Sequence, residues 1–320
     1  MKLKALYDAA IRHGVDVDPR GKDRVGRELE KAKRAFDDLK EEERERFDTE
    51  RLVNPYADSR LLCGDPEAEI ESVIVGIDME VGEVVLADRL REKGRSVDLI
   101  WAHHPEGAGL AGLGDVMDMQ ADILHKFGVP INVAEGILAP RIKEVQRGVM
   151  PANHMRAVDA ARLLDVPMIC THTPADNCVV DYLQRLFDRD EPETVGDVLS
   201  ILRGIPEYAE AEKLGAACKI FVGDKKRRAG RVFVDMTGGT GGSDKTFEKL
   251  ANTSEIGTIV GMHISEKNRK AAEKSNINVV IAGHMASDTI GMNLLLDGVE
   301  RAAGRPFTVI EASGFRRHKH

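Results

Sequence analysis

From about residue 70 onward, short apolar runs alternate with segments of helical hydrophobic spacing, and this alternation restricts the chain to few folds. The apolar runs predict strands at 72–77, 97–102, 129–134, 166–170, 219–222, 232–234, 258–261, 279–282 and 307–310. The helical spacing predicts helices at 82–93, 116–127, 154–164, 179–188, 244–252, 266–275 and 289–303. Alternation of this kind indicates β-α units with mainly parallel sheets, so we expect the α/β fold class.

The N-terminal residues differ from this pattern because they are densely charged and contain few strand-forming residues. Their apolar residues recur at helical spacing, at Val25, Leu29, Ala32, Phe36 and Leu39. Such a narrow stripe predicts a charged helix. The helix could bind a partner or cover a site, or it could be a solvated helix that packs on the body, which we favour.

Composition limits the classes of function. The 320 residues carry a net charge of −8, and nucleic-acid binding, which usually needs a basic domain, is not expected. The four cysteines form no C-x-x-C pair, which fits a reducing compartment. No segment resembles a signal peptide or a membrane span, so we expect a cytoplasmic protein without a membrane contact. The basic residues 316–320 are expected to form a frayed end.

Polar residues able to bind metal or move a proton follow most of the predicted strands. They are Asp78, His103, His104, Glu135, His172, Asp176, His263, His284 and Asp288. Ligands of open α/β sheets bind outside the carboxyl ends of the strands, so these side chains are expected at the edge where sites form. Neutral imidazole is the commonest metal ligand, and the pair His103-His104 therefore predicts a metal site.

Three of these residues also have purely structural interpretations. Asp176 could cap a helix that starts near Cys178. Asp288 could be a first-turn acid, favoured by the dipole of a helix that starts near Ala286. His263 could be a hydrogen-bonded histidine of the core. The sequence alone does not decide between these structural roles and metal binding.

A glycine-rich loop follows the predicted strand 232–234. Its glycines are Gly238, Gly239, Gly241 and Gly242. A loop of this kind between a strand and a helix can present backbone N–H groups to a phosphate or carboxylate. It matches neither nucleotide-binding glycine motif, and the glycines could instead serve only a tight turn. We predict anion or cofactor binding at these four glycines.

Four segments together resemble a known family, the NGG-one-interacting-factor-three-like proteins, also called type 2 homologues of GTP cyclohydrolase I. The segments lie at 76–107, with its H-H-P motif, at 171–177, THTPADN, at 237–243, TGGTGGS, and at 281–291, IAGHMASDTIG. The resemblance implies two similar α/β halves with mainly parallel sheets that face each other across a dinuclear metal site. It also implies a ring-shaped homo-oligomer, often a hexamer.

The resemblance implies a metal-ligand set of His103, His104, Asp176, His284 and Asp288. Three departures from the family pattern are visible. Asp288 stands where a glutamate is usual, Glu106 follows the H-H-P motif where an apolar residue is common, and the N-terminal extension is unusual.

We predict three segments: a helical extension at 1–52, a first half at 53–190, and a connector with the second half at 191–320.

The predicted donors, three imidazoles and two carboxylates, suit two divalent ions of Zn, Fe or Mn better than Mg or Ca. Asp176 is a plausible bridging carboxylate. Glu106, Glu135 or His172 could act as the general base or orient the ligands, with Glu106 first because it follows His104 closely. We predict a metal-dependent hydrolase acting on a small cyclic amide or a nucleotide-like substrate. The alternative is a non-catalytic metal-binding or regulatory scaffold.

Overall fold

The computed structural model describes all 320 residues and contains two β-sheets. The nine strands are β1 (Ser59–Cys63), β2 (Ser72–Gly76), β3 (Leu99–Ala102), β4 (Met168–Thr171), β5 (Lys219–Val222), β6 (Arg231–Asp235), β7 (Ile256–Gly261), β8 (Asn278–Ile281) and β9 (Thr308–Glu311). The first sheet has the order β1-β4-β3-β2-β9, and the second has the order β5-β8-β7-β6. All strands run parallel except the edge strands β1 and β5. The α/β fold class with two halves is therefore confirmed.

Fourteen helices surround the two sheets. They are α1 (Leu3–Asp16), α2 (Lys22–Asp37), α3 (Glu41–Arg44), α4 (Val81–Glu92), α5 (Gly107–Ala111), α6 (Met119–Lys126), α7 (Ile131–Val149), α8 (Arg156–Leu163), α9 (His172–Asp190), α10 (Val195–Arg203), α11 (Pro206–Lys213), α12 (Lys245–Thr253), α13 (Glu266–Lys274) and α14 (His284–Ala303). Short 3-10 turns occur at Thr49–Leu52 and Val116–Asp118. No helix combines the length and the apolar character that crossing a membrane requires.

The central strands of the first sheet are mostly apolar and buried on both faces. Strands β2, β3 and β4 are entirely buried, as expected for parallel strands. Their register places Gly76 beside Ala102, and Ala102 beside Cys170. The carboxyl ends of these strands are therefore level, and the residues that follow them meet at one edge.

The second sheet repeats this arrangement. Its strands β6, β7 and β8 place Asp235 beside Gly261, and Gly261 beside Ile281. In each sheet, the parallel strand next to the antiparallel edge strand leads into a long helix, α9 after β4 and α14 after β8. These two helices pack against each other and bring the two carboxyl edges together.

The first helix belongs to the core and is not an added solvated element. Leu3, Leu6 and Tyr7 are essentially fully buried, and α1 packs on both α9 and α14. Helix α2 fits the solvated alternative, since Val25 is its only buried residue. The N-terminal extension is therefore two regions of different character.

The predicted strand 129–134 is wrong. Pro130 precedes helix α7, whose buried residues Ala134, Ile137 and Leu138 continue the apolar run at helical spacing. The run was too short to distinguish a strand from the first turn of a buried helix face. Glu135 consequently lies exposed on this helix and not at a strand end.

The other missing and misplaced elements lie at sheet edges and at the C-terminus. Strand β1 and helices α10 and α11 were not predicted, whereas the strand expected at 219–222 is present as β5. The expected frayed end is also wrong. Arg317 pairs with Asp297 and Glu300 of α14, and His320 Nε2 lies 2.7 Å from Glu207.

Candidate metal centre

Four histidines and two aspartates meet where the carboxyl edges of the two sheets face each other. His103 and His104 directly follow β3. His172 and Asp176 lie in the first turns of α9, and His284 and Asp288 occupy the same positions of α14. Residues four apart lie on one face of a helix, so each helix start directs an imidazole and a carboxylate to the same place.

Both helices begin earlier than the sequence suggested. Helix α9 starts at His172, so Asp176 lies inside the helix and does not cap it. Pro174 is tolerated because the first turn of a helix needs no intrahelical donor there. Helix α14 starts at His284, immediately after Gly283, whose φ of 111° is accessible mainly to glycine.

The two carboxylates face the histidines at similar distances. His103 Nε2 lies 3.6 Å from Asp176 Oδ1 and 3.5 Å from Asp288 Oδ1. The second oxygen of Asp288 lies 3.5 Å from His104 Nε2 and 3.4 Å from His284 Nε2. Asp176 Oδ2 lies 3.8 Å from His172 Nε2. Asp288 thus contacts three histidines with its two oxygens.

These distances are too long for hydrogen bonds, and several of the atoms have no other partner. His103 and Asp288 are completely or almost completely buried, and Asp176 is 3% exposed. Both ring nitrogens of His103, Oδ1 of Asp176 and both oxygens of Asp288 are buried without a hydrogen bond. Unpaired buried polar groups are costly, so their concentration here indicates a missing charged partner.

The donor set fits divalent metal ions. Two ligands bound at about 2.1 Å to one ion with a tetrahedral angle lie about 3.4 Å apart, close to the separations in this cluster. Ligand atoms within 4.8 Å of one another form three groups: His103 with Asp176 and Asp288, His104 with His284 and Asp288, and His103 with His104 and His172. His172 therefore lies within the donor cluster, although the sequence suggested it as a base or orienting residue.

Two further carboxylates orient histidines from outside the cluster. Asp58 Oδ2 lies 2.8 Å from His172 Nδ1 and accepts a hydrogen bond from the Thr173 hydroxyl. Asp78 Oδ1 lies 2.6 Å from His104 Nδ1. Each contact leaves Nε2 directed into the cluster, as is usual for metal-binding histidines. Asp58 was missed because it precedes the unpredicted strand β1, whereas Asp78 was visible as a strand-end acid.

Burial and neighbouring charges determine the protonation of the cluster. Burial lowers the pKa of His103 to about 4, although Asp288 opposes this effect. Burial would also lower the pKa of His172, but Asp176 and Asp58 outweigh it and raise the pKa to about 9. Burial raises the pKa of Asp176 well above its usual range. At neutral pH the cluster therefore holds protons that a bound cation would displace.

Glu106 lies beside the cluster on the side of Asp78 and begins helix α5. Burial raises its pKa to about 7, and repulsion from Glu80 adds to this effect. A carboxyl group that titrates near neutral pH is suited to proton transfer.

His263 is not a core histidine. It follows β7 as His104 follows β3, and its side chain is exposed. Its ring centroid lies 5.2 Å from that of His284. His263 therefore extends the row of imidazoles from the cluster into the neighbouring cavity, whose wall it forms in part.

This cavity has a volume of about 680 Å³ and opens beside the cluster, with His172, Asp176 and His284 in its wall. The glycine loop forms another part of the wall. Gly238 and Gly239 both have φ of 86°, which explains the need for glycine at these positions. Gln120 donates to the carbonyls of Gly238 and Thr240, so side chains hold the loop in place.

The structure thus defines a class of protein: two similar α/β halves that place a histidine-aspartate cluster between their sheets. The NIF3 superfamily protein from Sphaerobacter thermophilus has the same fold, with a TM-score of 0.69 and 24% identity over 81% of this chain and 91% of that chain. The fold expected from the sequence motifs is therefore confirmed.

Two other solved structures match less closely. Reduced HcgD from Methanocaldococcus jannaschii gives a TM-score of 0.47 and 14% identity, covering 78% of this chain and 87% of that chain. A Bacillus cereus protein related to NIF3 gives a TM-score of 0.44 and 10% identity, covering 80% of this chain and 91% of that chain. No family model and no curated protein sequence matches the chain.

Proposed function

We propose that this chain is a member of the NIF3 superfamily that binds two divalent metal ions and uses them to hydrolyse a small cyclic amide or nucleotide-like substrate. The observation that carries the proposal is the set of buried, unpaired atoms on His103, Asp176 and Asp288. Retaining such atoms without a partner would destabilise the fold, and a cation at this position satisfies them together.

The grouping of donors supports an assignment of ligands. One group combines His103, Asp176 and Asp288, and another combines His104, His284 and Asp288. Because Asp288 belongs to both groups, it is a better candidate for the bridging carboxylate than Asp176. The shorter aspartate in place of the usual glutamate is compatible with this role, since its oxygens already face three imidazoles.

Two bound Zn, Fe or Mn ions would supply a nucleophilic hydroxide near neutral pH and polarise a carbonyl or phosphoryl oxygen. The chain's own residues then position the reaction. Asp58 and Asp78 fix the rings of His172 and His104. We propose Glu106 as the group that accepts and returns a proton. The adjoining cavity, with its wall partly formed by His284, receives the substrate.

Metal analysis tests the proposal directly. We expect full-length protein loaded with zinc, iron or manganese to retain about two ions per chain, and His103→Ala to lose most of them. The matched control is His125→Ala, since His125 lies on α6 and bonds the carbonyl of Val129. Protein that binds no metal contradicts the proposal. Metal-loaded protein that turns over no cyclic amide, phosphoester or nucleotide contradicts its hydrolase part and supports a non-catalytic scaffold.

We also propose a homo-oligomer, with a hexamer as the expected state. Support comes from the resemblance and from large apolar side chains left exposed, such as Leu214, Met150 and Leu163. Light scattering coupled to gel filtration measures the mass, and a monomer over the micromolar range would contradict this assembly.

A further inference from the structure

Helix α1 packs against the first turn of α9, the turn that carries His172 and Asp176 of the cluster. A Cβ on Gly14 of α1 would lie only 2.6 Å from the Cβ of Pro174, so the two helices touch with no room for a methyl group. Alanine is favoured over glycine inside a helix, and a glycine near the end of α1 therefore indicates a steric requirement. Such close packing restricts how far the first turn of α9 can move.

Asn177, one residue after Asp176, connects the same turn to the N-terminal part of the chain by hydrogen bonds. Its side chain is fully buried, and Nδ2 donates to the carbonyl of Gly14 at 3.2 Å and to the hydroxyl of Tyr56 at 3.1 Å. Buried hydrogen bonds are costly to leave unmade. These bonds therefore hold Asn177, and with it the backbone beside Asp176, in one position.

A second set of hydrogen bonds reaches His172 through Ser59, the first residue of β1. The hydroxyl of Ser59 accepts a hydrogen bond from the backbone N–H of His172 at 3.0 Å and lies 3.2 Å from Asp58 Oδ1. The other carboxylate oxygen of Asp58 lies 2.8 Å from Nδ1 of His172. Asp58 and Ser59 together therefore hold His172 both by its backbone and by its ring.

Ser59 is held in turn by two side chains from the N-terminal part of the chain. Its carbonyl oxygen lies 2.9 Å from both the hydroxyl of Tyr7 and Nδ2 of Asn54, and each of these groups can donate to it. Tyr7 and Asn54 are 1% and 3% exposed, so water does not replace these bonds. A chain of buried contacts thus runs from α1 through Ser59 to His172.

We propose that three residues outside the cluster, Tyr7, Gly14 and Asn54, are positioning residues of the metal centre. They hold the first turn of α9, with His172 and Asp176, in the arrangement that binds a cation. Groups that are held in place before an ion arrives lose less conformational freedom when it binds, so positioning raises the affinity. This inference rests on the proposed function because it concerns the affinity of the same metal centre.

The first measurement is amide hydrogen exchange in the metal-free, full-length protein, followed by NMR. It reports how often the N–H of His172 loses its bond to Ser59. In Tyr7→Phe and in Gly14→Ala, we expect this N–H to exchange at least about tenfold faster than in the unsubstituted protein. Tyr7→Phe keeps the ring in the core and provides the readout should Gly14→Ala fail to fold. An unchanged exchange rate in the folded variants would overturn the inference.

The second measurement is the affinity for zinc, obtained by competition with a chromophoric chelator, together with the visible absorption of bound cobalt, which depends on the geometry of the ligands. We expect Tyr7→Phe and Gly14→Ala to bind zinc about tenfold more weakly and to alter the cobalt spectrum. An unchanged zinc affinity with an unchanged cobalt spectrum would overturn the inference, since the residues would then serve stability alone.

Two matched controls separate positioning from general stability. Gly26→Ala adds the same methyl group on α2, where a Cβ meets nothing within 4 Å. Thr258→Val removes a fully buried hydroxyl that donates to the carbonyl of Ala229 in the second half. Neither control should change the exchange of His172 or the zinc affinity by more than about twofold, because both sites lie apart from the cluster.

The outcomes distinguish this inference from the proposed function. Effects in the controls as large as those in Tyr7→Phe and Gly14→Ala would overturn the inference and leave the proposed function standing. Zinc binding that both variants leave unchanged would do the same. Unsubstituted protein that binds neither zinc nor cobalt would contradict the proposed function itself, and the positioning of a metal centre with it.

Discussion

Apart from the additional strand β9 of the first sheet, the two halves of this molecule have the same strand order, but they contribute differently to the cluster between them. Each half has an antiparallel edge strand followed by three parallel strands, and each delivers a long helix that begins with His-x-x-x-Asp. In the first half, two histidines follow the middle strand. In the second half, Met262 stands where the first half has His103.

The halves differ even more in the residues that support the histidines. His172 and His104 of the first half are each held by a carboxylate on the second ring nitrogen, Asp58 and Asp78. His284 of the second half has only Asp288 within ion-pair distance. The first half thus provides a rigid set of donors, while the second half provides the shared carboxylate and most of the cavity wall.

The corresponding strand ends of the two halves also differ. The position that ends the first parallel strand is Gly76 in one half and Asp235 in the other. In the first half, Asp78 lies two residues after this position and contacts the ring of His104. In the second half, the strand end itself, Asp235, lines the cavity.

The largest expected effect is a loss of metal affinity that differs between the two carboxylates of the cluster. Asp288→Asn should weaken metal binding more than about 100-fold, because Asp288 faces three histidines. Asp176→Asn should lower the affinity of one ion more than that of the other, since Asp176 belongs to one donor group. Metal content after dialysis against a weak chelator measures this difference. Equal losses in both variants would contradict the central role of Asp288.

The next largest effect is the loss of metal affinity when a carboxylate that orients a histidine is removed, and only the first half contains such carboxylates. Asp58→Asn should lower metal affinity by about 10- to 100-fold without removing a ligand, because His172 loses its fixed ring orientation. Asp78→Asn should have a smaller effect because Asp78 is more exposed. Thr173→Val serves as the control, since it removes one bond to Asp58 and keeps the bond to His172. Unchanged affinity in Asp58→Asn would show that the two halves hold their histidines equally well.

The long helices also differ in what covers them. Arg317 of the C-terminal tail pairs with Asp297 and Glu300 of α14, and no tail covers α9 in this way. Arg317→Ala should destabilise the protein by about 2–4 kcal/mol, because it leaves the largely buried Asp297 without a cation and Glu300 with Lys319 alone. Urea unfolding measures the loss, with the exposed Arg185→Ala on α9 as the matched control. A change no larger than that of the control would mean that the tail is not part of the folded core.

The smallest effect is a dependence of stability on pH at the same tail. Burial alone would raise the pKa of Glu207, but His320 outweighs it and lowers the pKa below 4.5. A lowered carboxyl pKa contributes stability above pH 4.5, and this contribution disappears as the pH falls through the folded pKa. Glu207→Gln should remove about 1 kcal/mol at pH 6 and less at pH 3, because the advantage of the ionised carboxylate declines as the pH falls below 4.5. A destabilisation that is the same at both pH values would contradict this contact.

The parts of the fold predicted from the sequence are those with strong periodicity. Strands such as β2 and β7 are largely apolar runs, and the buried residues of helices α8 and α12 recur at helical spacing. Strand β1 was missed because the sequence SRLLC carries a charge and lies at an edge, where packing and not pattern determines strand formation. The proposed boundaries at residues 52 and 190 stay a prediction.

The cluster was predictable because its residues follow strands, and the carboxyl ends of parallel strands meet at one edge. The identity of the shared carboxylate was not predictable, since the choice between Asp176 and Asp288 depends on how α9 and α14 pack. Asp58 carried no signal because its strand was not recognised.

The last strand of the chain has a consequence for how the protein is made. Strand β9 pairs with β2, so that Val73 lies beside Val309 in the first sheet. During synthesis, the edge of β2 stays unpaired until residues 308–311 have left the ribosome. Contacts between distant parts of a sequence form slowly, and an unpaired strand edge promotes aggregation. The nascent first half therefore depends on the second half, and a chain truncated before β9 is expected to require chaperones that its full-length counterpart does not.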